Sequence, residues 1–379
     1  MKRKLTDLCT IQYGYAFDSE SFTSDNDYMP LVRIRDVKRG FSETFYTGDF
    51  SPEYVIHSGD LLVGMDGEFN IARWKSGDAL LNQRVCKITA ADGTDEQYLR
   101  FALQKALKEI EAHTAFVTVK HLSAKELNKL VLDIPDTGEQ ARIAQILCKL
   151  ERVISGREEE LSALDDLIKA RFVEMFGDCK INPKGWNTVE LGEISEVGSS
   201  KRVFVEDLKE TGIPFYRGTE IGALAEGKTI APELFIAQEH YEELIEATGK
   251  PLVGDLLMPS ICPDGRIWVV DTEEPFYFKD GRVLWVHSIS KEFDPVFLLY
   301  TLKDRIMTDY SSIASGTTFA ELKIFALKQC RVFAVPMDQQ KQFVSFVKQI
   351  DKSKFIVIKR SDKVINEQLQ QEFRDLPVI

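Results

Sequence analysis

Residues 57–67 read "HSGDLLVGMDG" and residues 252–265 read "LVGDLLMPSICPDG", so Gly-Asp-Leu-Leu is written twice, at Gly59 and at Gly254. Gly and Asp favour turns, and the apolar run behind them suits a buried strand, so each copy reads as a tight turn feeding a core strand. Asp60 and Asp255 could also be imagined as a catalytic carboxylate pair, but a Gly-Asp turn entering an apolar strand accounts for both without chemistry.

The correspondence extends in both directions from this mark. "YMPLVRIRDVKRG" (28–40) matches "GIPFYRGTEIGAL" (212–224), with Pro30 opposite Pro214. "DEQYLRFALQKAL" (95–107) matches "DPVFLLYTLKDRI" (294–306), with Leu99 opposite Leu298. "LDIPDTGEQARIAQIL" (132–147) matches "FAVPMDQQKQFVSFV" (333–347), with Pro135 opposite Pro336. Four blocks in one order, their offset drifting only from 184 to 201 residues, indicate an internal duplication. Each copy starts with short apolar runs separated by Gly, Asp and Pro ("PLVRI", "GDLLVGM" and "RVCKI"; "IPFY", "GDLLM", "RIWVVD" and "RVLWVHS"), which predict strands. A helix follows in each, from Glu96 to Ala112 and from Pro295 to Tyr310.

Beyond Pro135 the pattern changes. Ile143, Leu147, Leu150, Ile154, Leu161, Leu164, Ile168 and Met175 fall on a 4-3 spacing, with Arg157 and Arg171 at the two remaining seam positions. Such a seam needs a partner helix. The chain ends on a looser version of it: Phe343, Val347, Ile350, Val357, Val364, Ile365, Leu369 and Phe373, with Lys354 and Ser361 inside. The fold class expected is α+β: two mixed α/β globules (1–138 and 179–337) separated by two long antiparallel coiled-coil helices (139–178 and 338–379), a tandem repeat with a pseudo-two-fold. Roughly 38 residues of helix at about 1.5 Å each span ~57 Å, more than the ~34 Å repeat of duplex DNA. Two similar modules on a rigid spacer suit a split target.

Composition narrows the function classes. The 379 residues are 44% hydrophobic, ample for a core but too many for one. No run of about 18 apolar residues occurs and the start, "MKRKLTDLC", is polar, so a soluble cytoplasmic protein without membrane association is expected. Six cysteines and five histidines are scattered without metal-ligand spacing, which predicts buried free thiols and no metal site. The net charge of -12 excludes a uniformly basic coat, so any DNA contact must come from particular loops. Residues 338–379 carry eight basic against six acidic side chains and run against the acidic trend.

One enzymatic signature must be weighed. "GALAEGKT", Gly222 to Thr229, satisfies the nucleotide-binding expression G-x-x-x-x-G-K-T, and "RIWVVD", ending at Asp271, could pass for its companion strand. A phosphate loop must run into a helix whose amides face the ligand, yet Pro232 stands three residues past Thr229, and a proline inside a helix costs about 3 kcal/mol. No G-x-G-x-x-G, no G-x-S-x-G and no Asn-Pro-Pro-aromatic motif is present. The chain is expected to do no chemistry itself. A coiled-coil scaffold without nucleic acid explains the heptads but not two repeated globules.

The order of features resembles the specificity subunits of type I restriction-modification systems. The likeness is carried by Glu139-Gln140 before "ARIAQIL" and the heptad helix, by "GWNTVELGEI" (185–194), by "HSGDLLVGMDG" and "LNQRVCKI" (81–88), and by "TVKHLSAKELNKLVLDIP" (118–135). It covers essentially the whole chain. The resemblance implies that each globule is a target recognition domain reading half of a bipartite double-stranded DNA site. It implies that the helices set the spacing and dock two methyltransferase subunits, through Ile143, Leu147, Leu150, Ile154, Leu161, Leu164, Ile168, Val347, Ile350, Val357 and Val364. No cofactor is implied in this chain: S-adenosylmethionine would sit on the methyltransferases, and ATP and Mg on partner subunits, including a restriction subunit that translocates and cleaves. The second Glu-Gln position departs from the pattern, reading Asp338-Gln339-Gln340, as does "KDGRVLW" (279–285) opposite "LNQRV".

Base reading needs paired donors and acceptors, and phosphate anchoring needs cations or hydroxyls. The candidate loops of the first module offer Arg33, Arg35, Lys38 and Arg39; Arg73 and Lys75; Asn82 and Arg84; and Thr118, Lys120 and His121. The second offers Lys201 and Arg202, Tyr216 and Arg217, Lys279 and Arg282, and Thr317 and Thr318. Any one of these charges could equally be a solvated turn residue.

Overall fold

A computed structural model describes residues 1–67, 69–113, 121–316 and 320–364. The chain forms two compact units, Met1–Glu159 together with the chain from Val357, and Glu160–Ile356. Among the described residues no helix is long and apolar enough to cross a membrane.

Each unit is built on an antiparallel sheet that is four-stranded among the described residues. In the first unit β1 (Cys9–Tyr13), β2 (Leu61–Gly64), β3 (Asn70–Arg73) and β4 (Val85–Ala90) lie in the order β1-β4-β2-β3. In the second, β5 (Glu196–Gly198), β6 (Leu256–Pro259), β7 (Trp268–Val269) and β8 (Val283–His287) lie in the order β5-β8-β6-β7. The two Gly-Asp-Leu-Leu segments therefore enter the same inner strand. Side chains of a strand alternate between faces, and here both faces are buried. Leu61 and Val63 join one core while Leu62 joins another with Val32, Trp74 and Val85. Likewise Leu256 and Met258 face one core, and Leu257 faces Ile221, Trp268 and Trp285 in a second. Two successive leucines are needed because each side of the strand must be apolar; burying one stabilises by about 1.5–3 kcal/mol.

The turns before these strands match bond for bond. Gly59 (φ +95°) and Gly254 (φ +96°) both take the left-handed backbone that glycine adopts freely. Gly59 N donates to Trp74 O at 2.8 Å, and Gly254 N to Val270 O at 2.9 Å. Asp60 and Asp255 each accept from the amide three residues back, His57 at 2.8 Å and Leu252 at 2.9 Å. These carboxylates close turns, each within its own unit.

Several segments read as loops or strand ends are helical. "RIRDVKRG" holds α1 (Ile34–Arg39), closed by Gly40 in the left-handed region at φ +80°. Asp36 accepts the Arg33 amide at 2.9 Å and starts the turn. The counterpart is α4 (Gly218–Ala225), where Glu220 accepts the Arg217 amide at 2.8 Å. Between them in the chain lie α2 (Glu96–His113) and α3 (Thr137–Phe176); after them come α5 (Gln238–Thr248), α6 (Pro295–Ile313) and α7 (Met337–Val364).

The boundary between the units falls inside α3. In the first unit Ile143, Leu147 and Leu150 bury in the same core as Leu99 and Leu103 of α2. In the second, Ile168, Phe172 and Phe176 pack with Phe343, Val344 and Val347 of α7 and Phe297 of α6. Phe172 meets Phe343 with ring centroids 5.5 Å apart, and Asp165 meets Lys354 further along, so α3 and α7 run antiparallel there. Gly177 (φ +85°) ends α3, where a Cβ would come within 2.6 Å of Pro183 Cγ.

Buried glutamines correct the register of the repeat. Gln140 accepts the Asp95 amide at 2.9 Å and donates to Pro135 O at 3.0 Å. Gln340 accepts the Asp294 amide at 2.8 Å and donates to Val335 O at 2.7 Å. Pro135 therefore corresponds to Val335 and not to Pro336. The second copy keeps the glutamine of its Glu-Gln pair.

Candidate nucleic-acid interface

In the first unit, α1 gathers its cations around one carboxylate. Asp36 is fully buried, and its Oδ1 lies 3.7 Å from Arg35 and 3.8 Å from Arg39. Arg39 also pairs with Glu43 at 3.1 Å and stands 5.3 Å from the Phe41 ring. Lys38 lies in the last turn of α1. Lys75 is beside the end of that helix, its N–H donating to Gly40 O at 3.1 Å and its side chain filling the space a Cβ on Gly40 would need. Arg73 belongs to strand β3 and not to a loop; it is tied to Gly59 O at 2.7 Å and to Glu96 at 2.5 Å. Asn82 is buried and accepts the Gln83 amide at 2.9 Å.

Arg84 (φ +73°) follows in the same turn. Its Nη1 lies 3.0 Å from His121 Nδ1, its Nε lies 3.5 Å from Asp66, and His121 closes the cluster by contacting Asp66. Thr118 and Lys120, like Thr317 and Thr318, lie outside the described residues.

In the second unit an open cleft of about 500 Å³ is lined by the candidates Arg217, Lys279 and Arg282, together with Thr219, Pro259 and Arg266 among others. Arg217 pairs with Glu220 at 2.5 Å and Glu233 at 3.1 Å. Burial alone would raise the Glu220 carboxyl, but hydrogen bonds from Arg217 and Thr219 outweigh it and hold the group at about 2. Tyr216 stacks on Phe276 at 5.1 Å, and burial, with Glu220 nearby, pushes its hydroxyl up. Lys279 N donates to Tyr216 O at 2.9 Å, binding the two candidate segments together. Beside the cleft, Arg202 pairs with Asp280 at 3.2 Å and the Lys201 amide donates to the Tyr277 hydroxyl at 2.9 Å. Arg217 and Arg202 already hold carboxylates, so an incoming phosphate would compete with these or use the N–H donors left over.

Arg266 is a cleft residue missing from the sequence reading, and it also explains the false nucleotide motif. A Cβ at Gly222 would come within 2.8 Å of Arg266 Nη1, so Gly222 makes room for a guanidinium and not for a phosphate. Gly222 lies inside α4, and Gly227, Lys228 and Thr229 follow the helix, the reverse of a phosphate loop. Lys228 is paired with Glu226.

Of the docking candidates, Ile143, Leu147 and Leu150 are buried in their own unit's core, and Ile168 and Val347 in the helix pair, with Ile350 packed against it. Ile154, Leu161 and Leu164 are half-buried, and Val357 is buried. Val364 ends α7, its side chain outside those described.

A family model described as type I restriction modification DNA specificity domain matches residues 1–163 and 183–367. The type I restriction enzyme EcoBI specificity subunit of Escherichia coli is 38% identical over 170 residues, covering 45% of this chain but only 36% of that protein. The MjaVIII specificity subunit of Methanocaldococcus jannaschii is 20% identical over 373 residues, covering 92% of this chain and 85% of that one. The crystal structure of a type I restriction-modification S subunit from M. genitalium shares the fold with a TM-score of 0.53 at 16% identity, covering 98% of this chain and 95% of that chain.

Proposed function

The chain belongs to the family of type I restriction-modification DNA specificity proteins, and from that membership we propose that its two globules, residues 1–138 and 179–337, each read one half of a bipartite duplex site. The long helices (139–178 and 338–379) set the spacing and dock two methyltransferase subunits, and a restriction subunit joins in systems that cleave. The chain itself recognises DNA and catalyses nothing, and it works in the cytoplasm. The observation that carries this reading is the repeat: two units whose four-stranded sheets share one strand order and whose strand-entry turns close on matching backbone bonds. A duplicated scaffold with divergent loops is what two different half-sites require.

Selection from a randomised duplex library, using the full chain with its methyltransferase subunits, tests the reading. A split motif with a fixed gap is expected, and failure to enrich any split motif would sink it. Exchanging residues 1–138 for those of a relative should alter one half-site only. Nucleotide binding that disappears in Lys228→Ala would instead revive the phosphate-loop reading.

A further inference from the structure

Arg84 and Arg282 occupy the same place in the two units. The Met65 amide donates to Arg84 O and the Ser260 amide to Arg282 O, both at 2.9 Å. The Leu122 amide then donates to Met65 O and the Leu322 amide to Ser260 O, both at 2.7 Å. The residue before each leucine, His121 in one unit and Glu321 in the other, contacts Nη1 of the matching arginine. An arginine with a side-chain holder thus recurs, although the surrounding letters differ ("NQR" and "KDGR") and the holders are chemically unlike. Both guanidinium groups stay open to solvent, with side chains 49% and 60% exposed.

The backbone adds a second observation. Val85 N closes on Asn82 O, whereas Val283 N closes on Lys279 O, so the second turn is one residue longer. The added length puts Gly281 in the left-handed region (φ +64°); in the shorter turn Arg84 itself must adopt it (φ +73°). An arginine kept in a conformation that glycine adopts freely points to a use for its side chain.

We propose that Arg84 and Arg282 are the guanine-reading residues of the two half-sites, and that His121 with Asp66, and Glu321, are positioning residues that present them. The inference rests on the DNA reading above and adds to it one base pair per half. A guanidinium has five N–H donors in a planar fork; the holder takes part of them, and others remain for the O6 and N7 acceptors of guanine in the major groove. Holding the side chain beforehand reduces the rotamer freedom lost on binding. The holders differ because each needs only to accept an N–H from the arginine or to lean on a carboxylate that does.

The test is selection from a randomised duplex library with the full chain and its methyltransferase subunits, for wild type, R84Q and R282Q. A required G·C pair is expected in each half of the wild-type motif. R84Q should relax that pair in one half and R282Q in the other, with discrimination falling roughly 10- to 100-fold. An unchanged motif, or a uniform loss of affinity for all sequences as for a phosphate contact, would overturn the proposal while leaving the DNA reading intact. A wild-type chain that enriches no motif would overturn both. For the positioning role, E321A should relax the same pair as R282Q, E321D should restore part of the discrimination, and E321A with R282Q should be no worse than R282Q alone. An E321A chain with an unaltered motif would refute it.

Discussion

Lys354 Nζ of α7 lies 2.5 Å from Asp165 Oδ1 of α3, so the lysine that interrupts the apolar seam adds an ion pair between the two helices in the second unit. Its stem is mostly buried, 19% exposed, while Asp165 is 63% exposed. A lysine can cover apolar surface with its methylenes and still place its charge at the rim.

The exposed carboxylate limits what the pair contributes. In urea unfolding, Lys354→Ala should cost about 1 kcal/mol, mostly lost packing, and a double-mutant cycle with Asp165→Ala should give a coupling of about 0.5 kcal/mol. Lys354→Met should be close to neutral. A coupling well above 1 kcal/mol would contradict this assignment.

The buried glutamines at the start of α3 and α7 are a stronger test of the repeat. Gln340 also donates to Glu292 O at 2.9 Å, so Gln340→Leu leaves one amide and two carbonyls without a partner, which should cost about 2–3 kcal/mol. Gln140→Leu leaves one amide and one carbonyl without this partner in the first unit and should cost somewhat less, about 1–2 kcal/mol. Hydrogen exchange should report each loss in the mutated unit.

At the strand-entry turns the backbone angle, not space, demands glycine. A Cβ on Gly59 would meet nothing within 4 Å, and one on Gly254 only Pro295 Cγ at 3.5 Å. Gly59→Ala and Gly254→Ala should therefore cost similar amounts, about 1–2 kcal/mol from the left-handed conformation, measurable as parallel shifts of the denaturation midpoint. Asn at either site should cost less.

Acid should weaken the cleft through Glu220. Its carboxyl is lowered from 4.5 to about 2, so the folded state favours the ionised form. That stabilisation is fully present above about pH 4.5 and is lost as the pH falls toward 2. Glu220→Gln should flatten this part of the stability profile and remove about 1 kcal/mol at neutral pH, since the group is partly open to solvent.

The duplication, the core strands and the long helices were legible because each leaves a repeated apolar pattern. What the pattern hides is short, acidic, outside the repeated blocks or brought together only by folding. The six residues of α1 are too few to display a helical period, and their cations suggested a loop. The paired prolines at 135 and 336 looked like a register mark, but the register is set by what Gln140 and Gln340 hold. Asp66 and Glu321 carry no mark of a DNA contact in the sequence because acids repel phosphate, and only folding brings Arg266 over Gly222. The eleven residues of α5 fall between the matched blocks, so the repeat gives no sign of them.

The bond from Gly59 to Trp74 and the bond from Gly254 to Val270 close hairpins that differ by one residue, yet their closures are nearly identical. Closing a flexible loop grows harder only slowly with length, by about 0.6 kcal/mol per doubling. The frame of each unit is therefore fixed at the base of the hairpin, where turn and clamp meet, while the connection between the two core strands can change length without disturbing it.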